Sequence, residues 1–284
     1  MIESMGNLSD YLGLPISSSS HGLMIDNMIG WVHWVMLLLF VGWGIYLIIA
    51  VIKFNAKSNP QADYHGVQSH FSHYIEYGVL IIEAFLLIGL SIPIYAQLKT
   101  TLPNETDVHH IRIIAQQFAW NIHYPGKDGL FGTTRSDLVD EQENPIGLDR
   151  GSPNASDDFF TINQLHIPAH KKIRIDLTTK DVIHNFKLPE LRVSQDAIPG
   201  MVIPIHFEAT LTSEQFLRTV KGTPREGKGL EISCAQLCGL GHYRMKGFLT
   251  IHDQDGYNSW LDEQAEYLLE SGEDDDDWGD DDDW

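Results

Sequence analysis

Two long hydrophobic stretches dominate the first hundred residues of the chain. Residues 28–52 contain no Asp, Glu, Lys or Arg, and residues 74–98 are almost as apolar. Since a helix of about 20 apolar residues crosses the core of a bilayer, both stretches are predicted to span a membrane. The second stretch carries Glu76 and Glu83, and carboxylates inside a span usually face protein or a water-filled path. For Glu83 we expect a protonated carboxyl that hydrogen-bonds between helices.

Beyond residue 108 the long apolar runs give way to short segments. Residues 108–120 alternate between hydrophobic and polar positions and are rich in Ile, which predicts a strand. Five more strands are predicted between turns rich in Gly, Pro, Asn and Asp, at residues 163–167, 172–177, 202–209, 229–233 and 247–252. Short strands separated by such turns indicate a β-sandwich or a Greek-key barrel.

The pattern divides the chain into four parts. These are a loosely ordered polar tail, a two-helix transmembrane hairpin, an all-β domain, and a short helix with a disordered acidic tail, at residues 1–27, 28–99, 104–255 and 256–284. Within the β-domain, the polar residues 125–158 are predicted to form a long surface insertion. The short amphipathic helix is predicted at residues 258–269.

The distribution of charge predicts an orientation. Lys53 and Lys57 follow the first span, whereas the segment before it has neither Lys nor Arg. The positive-inside rule therefore places the loop between the spans in the cytoplasm, with both termini and the β-domain outside. The N-terminal segment lacks the basic start of a signal peptide, so we expect it to be retained. The formal net charge of -20 argues against nucleic-acid binding, which needs a basic face.

One short segment offers four soft metal ligands. Two thiols, an imidazole and a thioether are spaced C-x3-C-x3-H-x2-M, at Cys234, Cys238, His242 and Met245. Sulfur with imidazole selects copper, zinc or iron–sulfur clusters, and structural zinc sites do not use Met. A weak Met ligand beside Cys and His is typical of copper electron-transfer sites. Two thiolates can bridge two metals, in which case a second terminal His must come from elsewhere.

Two other interpretations of the cysteines stay open on the residues alone. A Cys pair in an extracytoplasmic domain is most often a disulfide. The other interpretation is a thiol-exchange or copper-carrying module that passes no electrons to a catalytic centre. Thiol oxidoreductases favour C-x-x-C near a βαβ pattern, whereas this chain has C-x3-C among predicted strands. A copper carrier would also need neither two spans nor a ligand far upstream.

The segment resembles the copper loop of cytochrome c oxidase subunit II. That family has C-x-E-x-C-x3-H-x2-M, an earlier His in D-V-x-H, and a D-A-I-P-G segment. The chain has D-V-I-H at residues 181–184 and D-A-I-P-G at residues 196–200. The resemblance covers both spans and the β-domain and implies a cupredoxin fold. It also implies a dinuclear CuA centre. Cys234 and Cys238 would be its bridging thiolates, and His184 and His242 its terminal ligands. The thioether of Met245 and the backbone carbonyl of Gln236 would be its weak axial ligands.

The resemblance implies a function in electron transfer. The chain is expected to accept electrons from cytochrome c, or from a dedicated cytochrome c domain in a larger assembly, and to pass them to a heme–copper catalytic subunit that reduces oxygen to water. No C-x-x-C-H heme-attachment motif occurs in the chain. The oxygen-reducing centre is therefore expected in the partner. Glu76 falls on a family glutamate near the mouth of a proton pathway; an interfacial carboxylate is the alternative.

Two departures from the family pattern bear on function. Gln236 replaces a family Glu that helps to bind magnesium, so magnesium binding is in doubt, because hard cations prefer carboxylates. Phe118 replaces the first Trp of a W-x-W pair, through which electrons reach the family's copper, and Trp120 matches the second. Phe118 either fills the same surface patch or indicates a different donor.

The same chemistry leaves an alternative function and a question about the tail. The alternative is the electron-accepting subunit of a CuA-containing nitric oxide reductase; the two spans and Glu76 favour the oxidase. Quinol-oxidase relatives lack the copper ligands, so the intact ligand set argues against that branch.

The acidic residues 270–284 either keep the chain soluble or attract a basic electron donor. A bacterial plasma membrane is expected rather than a mitochondrion, because of the insertion at residues 125–158, the acidic tail and the absence of a targeting sequence.

Overall fold

The structure is a computed structural model that describes residues 12–61, 64–66, 68–100 and 108–273. The described residues divide into two compact units. One unit holds the two apolar helices. The other holds the β-sheets together with Pro15–Gly22.

Both predicted spans are helical and extend beyond their predicted ends. Helix α1 runs from Gly22 to Lys53. The second span consists of α2 (Phe71–Ala84), a π-helical segment (Phe85–Ser91) and α3 (Ile92–Thr100) in unbroken succession. Both are long and apolar enough to cross a membrane. In the π-helical segment, the Ser91 hydroxyl donates to the carbonyl of Leu86 at 3.0 Å.

The β-unit consists of two five-stranded sheets. The ten strands that the described residues form, β1 to β10, are Val108–Gln116, Ala119–Tyr124, Phe159–Ile162, Gln164–Pro168, Lys172–Thr179, His184–Leu188, Val193–Ala197, Ile203–Glu208, Leu230–Cys234 and Lys246–His252. The strand orders are β3-β2-β1-β5-β8 and β4-β10-β9-β6-β7. Helix α4 (Ser213–Thr219) links β8 to β9, and α5 (Gln254–Glu273) follows β10.

The hydrophobic core fills the β-unit because alternate residues of its strands face the same side. Strand β5 alternates between buried and less buried positions along its length, and β1 does so over its second half. Ile113, Ile175 and Leu177 are completely buried, as is Trp120 at the start of β2. The alternation of hydrophobic and polar residues that predicted these strands therefore matches the alternation of buried and less buried side chains.

Several elements differ from the sequence-based prediction. The single strand predicted at 108–120 is two strands, because the chain turns at Gln117 and Phe118. Strands β3, β6 and β7 were not predicted. The predicted helix at 258–269 is longer, from Gln254 to Glu273. The acidic tail beyond residue 273 lies outside the described residues.

The prediction of a loose tail at residues 1–27 is wrong for its second half. Backbone hydrogen bonds tie Ser18 to Glu190 and to Thr210, and the Ser19 hydroxyl donates to Leu191 O at 2.7 Å. Ser18 and Ser19 are buried. This segment belongs to the β-unit, and helix α1 begins directly after it. Residues 1–11 lie outside the described residues.

The polar segment 125–158 has a small core of its own. Ile146, Leu148 and Ala155 are buried together, and Phe160 of β3 packs against them. Short turns built on Asp and Asn side chains make up most of the rest; Asn144, for example, hydrogen-bonds the backbone of Leu148 in both directions. The segment is thus a folded addition to the sheet.

Candidate metal centre

Strand pairing brings the upstream histidine to the cysteine loop. His184 begins β6, and Cys234 ends β9. The two strands pair antiparallel, with Phe186 opposite Cys234. His184 Nδ1 consequently lies 3.9 Å from Cys234 Sγ, although 50 residues separate them.

The loop between β9 and β10 gathers the remaining sulfur and imidazole groups. Cys238 Sγ lies 3.8 Å from Cys234 Sγ, 3.6 Å from His242 Nδ1 and 3.7 Å from Met245 Sδ. Candidate ligand atoms of His184, Cys234 and Cys238 all lie within 4.8 Å of one another. All five side chains that the sequence analysis selected therefore converge on one point.

The backbone at Gln236 also turns toward this cluster. Its carbonyl oxygen lies 3.2 Å from Cys234 Sγ. The Gln236 side chain is exposed. The carbonyl thus belongs to the cluster, whereas the amide is left for other contacts.

Burial separates the cluster from solvent. His184 is completely buried, and Cys234, Cys238 and Met245 are at most 9% exposed. His242 is half-buried. Both cysteines are free thiols. The cluster is therefore largely shielded from water, and His242 is its most accessible member.

Neighbouring side chains hold the first histidine and the loop. The Asp181 carboxylate lies 2.8 Å from His184 Nε2 and accepts the backbone N–H of Gln117 at 2.7 Å. Gln117 in turn donates from its side chain to Cys238 O at 2.5 Å. A carboxylate on the outer nitrogen of a ligand histidine fixes the ring's tautomer and orientation. Sequence reasoning missed Gln117; its position directly before Phe118 was the available signal.

Burial and charge set the protonation of the two thiols. Burial disfavours the Cys234 thiolate, yet hydrogen bonds from His184 and the backbone lower its pKa to about 6. Burial and the negative charge of Cys234 raise the pKa of Cys238 to about 11. Burial also opposes protonation of His184, but Cys234 and Asp181 raise its pKa overall. A metal held by both sulfurs must displace the thiol protons, and that of Cys238 is the harder to remove.

The aromatic residues of the β1–β2 turn have different surroundings. Phe118 is partly buried, and its ring lies so close to Gly241 that a Cβ there would come within 2.5 Å. Trp120 is completely buried; its ring meets those of His184 at 6.2 Å and Phe186 at 5.4 Å between centroids. Phe118 thus covers the ligand loop, and Trp120 lies in the core beneath it.

The two carboxylates of the second span belong to the helical unit. Glu76 is exposed and lies 3.6 Å from His73 Nδ1. Glu83 lines an otherwise apolar cleft beside Trp34 and Leu38 of α1. The structure does not bring either carboxylate into the ligand cluster.

The residues present fit copper. Two thiols, a thioether and two imidazoles form a sulfur and nitrogen donor set that suits copper, and a thioether is foreign to structural zinc sites. Neither cysteine belongs to a disulfide, so both sulfurs can bind a metal once they lose their protons.

Comparisons with known proteins identify the family. The profile described as cytochrome c oxidase subunit II, periplasmic domain, matches residues 109–249. The alternative cytochrome c oxidase subunit 2 of Bradyrhizobium diazoefficiens is 30% identical over 87% of this chain and 83% of its own length. The probable cytochrome c oxidase subunit 2 of Rickettsia prowazekii is 26% identical, and the match covers 81% of this chain and 66% of that protein.

A solved structure of the periplasmic domain of subunit II of cytochrome oxidase (CoxB) from Bradyrhizobium japonicum is 24% identical. It covers 59% of this chain and 99% of its own, with a TM-score of 0.39. The predicted architecture, two apolar helices followed by a cupredoxin-like β-domain, is confirmed. The chain belongs to the cytochrome c oxidase subunit II family, whose members are subunits of heme–copper oxidases.

Proposed function

We propose that the chain is the electron-accepting subunit of a respiratory cytochrome c oxidase. It takes electrons from cytochrome c at a dinuclear CuA centre and delivers them to the heme–copper catalytic subunit, which reduces oxygen to water. The convergence of two free thiols, two imidazoles and a thioether in one buried cluster carries the proposal. Relatives named as oxidase subunits favour this function over the nitric oxide reductase alternative.

Each ligand has a defined task in this proposal. Bound copper supplies reversible one-electron chemistry. Cys234 and Cys238 would bridge the metals, and His184 and His242 would hold the outer positions. Met245 and the Gln236 carbonyl would be the weaker ligands, which would tune the redox potential. Strands β6 and β9 anchor His184 and Cys234, so these two ligands move little when the charge at the centre changes.

The surface of the ligand loop supports contact with a protein partner. Leu237, Leu240 and Tyr243 are 78%, 97% and 87% exposed, respectively, in a loop whose ligands are buried. Exposed apolar groups clustered on one loop are typical of interaction sites. We assign this loop to contact with the partner proteins of the oxidase. Phe118, beside the loop, stands where the family receives electrons, and Trp120 lies behind it.

Magnesium and location complete the proposal. The exposed Gln236 side chain is neutral, so we propose that a magnesium ion at the partner interface is bound weakly or not at all.

The β-unit and both termini lie outside a bacterial plasma membrane, and the loop between the helices lies inside. Glu76 stands at the inner end of the second span, where a proton pathway opens in the partner.

Electron transfer from reduced cytochrome c tests the function directly. The copper-loaded full-length chain in detergent is mixed with reduced cytochrome c in a stopped-flow instrument. We expect rapid oxidation of the cytochrome that is lost in Cys234→Ser. It should remain in Ser233→Ala, which alters a neighbouring side chain outside the cluster. Failure of the loaded wild-type chain to oxidise any cytochrome c would contradict the proposal.

A further inference from the structure

A second cleft lies in the β-unit, and none of its lining residues belongs to the ligand cluster. It has a volume of about 860 Å³ and is bounded by β1, the loop at residues 126–131 and the first turns of α5. Small-molecule sites in proteins have volumes of about 300–1,000 Å³. The side chains of Tyr124, Leu130 and Leu261 give the cleft apolar walls.

Arg112 lines this cleft with unused hydrogen-bond donors. One face of its guanidinium packs on the Phe131 ring, 4.0 Å from the centroid. None of the guanidinium N–H groups hydrogen-bonds to any residue that the structure describes, although the side chain is partly buried. The stacked face leaves the edge of the guanidinium, which carries the donors, available to a ligand.

The nearby carboxylates contact histidines and do not hydrogen-bond the guanidinium of Arg112. Asp158 lies 2.6 Å from His123 Nε2, and Asp176 lies 2.8 Å from His110 Nε2. Both support the positive charge of Arg112 without hydrogen-bonding it. Asp262, the acidic residue among those that line the cleft, pairs with Lys127. In a chain with a net charge of -20, this cleft keeps a guanidinium whose hydrogen-bond donors no carboxylate has taken.

We propose that the cleft binds a small organic carboxylate with an apolar body. The carboxylate would accept two parallel hydrogen bonds from the edge of Arg112, the geometry that guanidinium and carboxylate share. The body would lie against Leu130 and Leu261. This inference does not depend on copper or on the proposed electron transfer.

Hexanoate labelled with ¹³C in its carboxyl group is the probe. Its ¹³C resonance is recorded with the full-length protein in detergent, and acetate and hexylammonium are compared. We expect saturable broadening of hexanoate, weaker binding of acetate, and no saturable binding of hexylammonium. Equal binding of hexanoate and hexylammonium, or no saturable binding of hexanoate, would overturn the proposal without any variant.

Variants locate the site. Since a hydrogen bond to a charged group contributes about 1.5–3 kcal/mol, Arg112→Gln should weaken hexanoate binding about 10-fold or more. Arg112→Lys keeps the charge but loses the paired geometry, so its affinity should be intermediate. Arg218→Gln, which removes an exposed arginine of α4, is the matched control and should bind as the wild type does. Unchanged binding in Arg112→Gln would place the ligand elsewhere and overturn the assignment.

Discussion

At the scale of single residues, one carboxylate organises the surroundings of the first histidine ligand. Asp181 contacts His184 Nε2 through one oxygen and the Gln117 backbone through the other. His184 Nδ1 is thereby directed at Cys234. Conversely, Gln117 fixes the loop through the carbonyl of Cys238. Orientation of the proposed ligands thus depends on two residues outside the ligand set.

Asp181→Asn should weaken copper binding while leaving the fold intact. The amide keeps the shape of the carboxylate but loses the charge that stabilises the ring orientation. Loss of such an outer carboxylate typically lowers metal affinity about 10–100-fold. A chelator competition titration measures the affinity. Asp196→Asn, which alters a carboxylate that hydrogen-bonds Asn185 on a neighbouring strand, is the control. Equal affinities in the two variants would contradict the role of Asp181.

Gly241→Ala should destabilise the metal-free protein through a clash with Phe118. The new Cβ would come within 2.5 Å of the ring, and Gly241 needs no positive φ, so the effect is steric. Overpacking of this kind costs about 1–3 kcal/mol. Urea unfolding measures the loss, and the second substitution Phe118→Leu should recover part of it. Gly229→Ala, where a Cβ meets open space, should change little; an equal loss there would refute the steric explanation.

At the scale of elements, alternation predicted the strands that carry regular apolar positions, and it failed where polar residues interrupt them. Strand β7 reads VSQDA, so little in it signals a strand. Within the ligand set, the residues of the loop lie close together in the sequence, so their spacing alone predicted them. The contact between Gln117 and Asp181 could not be predicted in this way. It depends on the parallel pairing of β1 with β5, which places both residues just beyond the C-terminal ends of those strands.

The stability of the β-unit should fall as the pH falls, because of a histidine that contacts helix α5. Its Trp260 stacks on His166 of β4 at 4.4 Å between centroids, and His166 Nδ1 lies 2.8 Å from His252 Nε2. Burial, and then the neighbouring His252, lower the pKa of His166 to about 4. The unfolded chain therefore binds more protons between pH 6.5 and 4, and stability falls as the pH falls through that window.

Urea unfolding midpoints between pH 4 and 7.5 test this dependence. His166→Gln should flatten the fall below pH 6.5, because the variant has no group at this position to protonate. His170→Asn, at an exposed turn with a φ of 57° that Asn tolerates, should keep the wild-type slope. An unchanged slope in His166→Gln would assign the dependence to other groups.

At the scale of the whole molecule, the chain combines two helices that are long and apolar enough to cross a membrane with a strongly acidic remainder. The acid is unevenly distributed, since residues 274–284 contain eight Asp and no basic residue. That tail lies outside the described residues, directly after α5. A single-sign segment of this kind attracts basic proteins over a distance set by the ionic strength.

Deletion of residues 274–284 should slow association with a basic cytochrome c and flatten its salt dependence. Stopped-flow rates across a range of salt concentrations measure both effects. A chain of equal length with the eight Asp replaced by Asn is the matched control for charge, and it should behave as the deletion does. An unchanged rate at low salt in both variants would leave the tail as a solubilising segment.

The copper content of the full-length chain tests the central claim most directly. The reduced protein in detergent is loaded with copper, and the metal per chain is measured together with the EPR spectrum. The account predicts two copper ions and one unpaired electron delocalised over both. One copper with a localised signal, or no copper with Cys234 and Cys238 joined in a disulfide, would contradict the dinuclear centre.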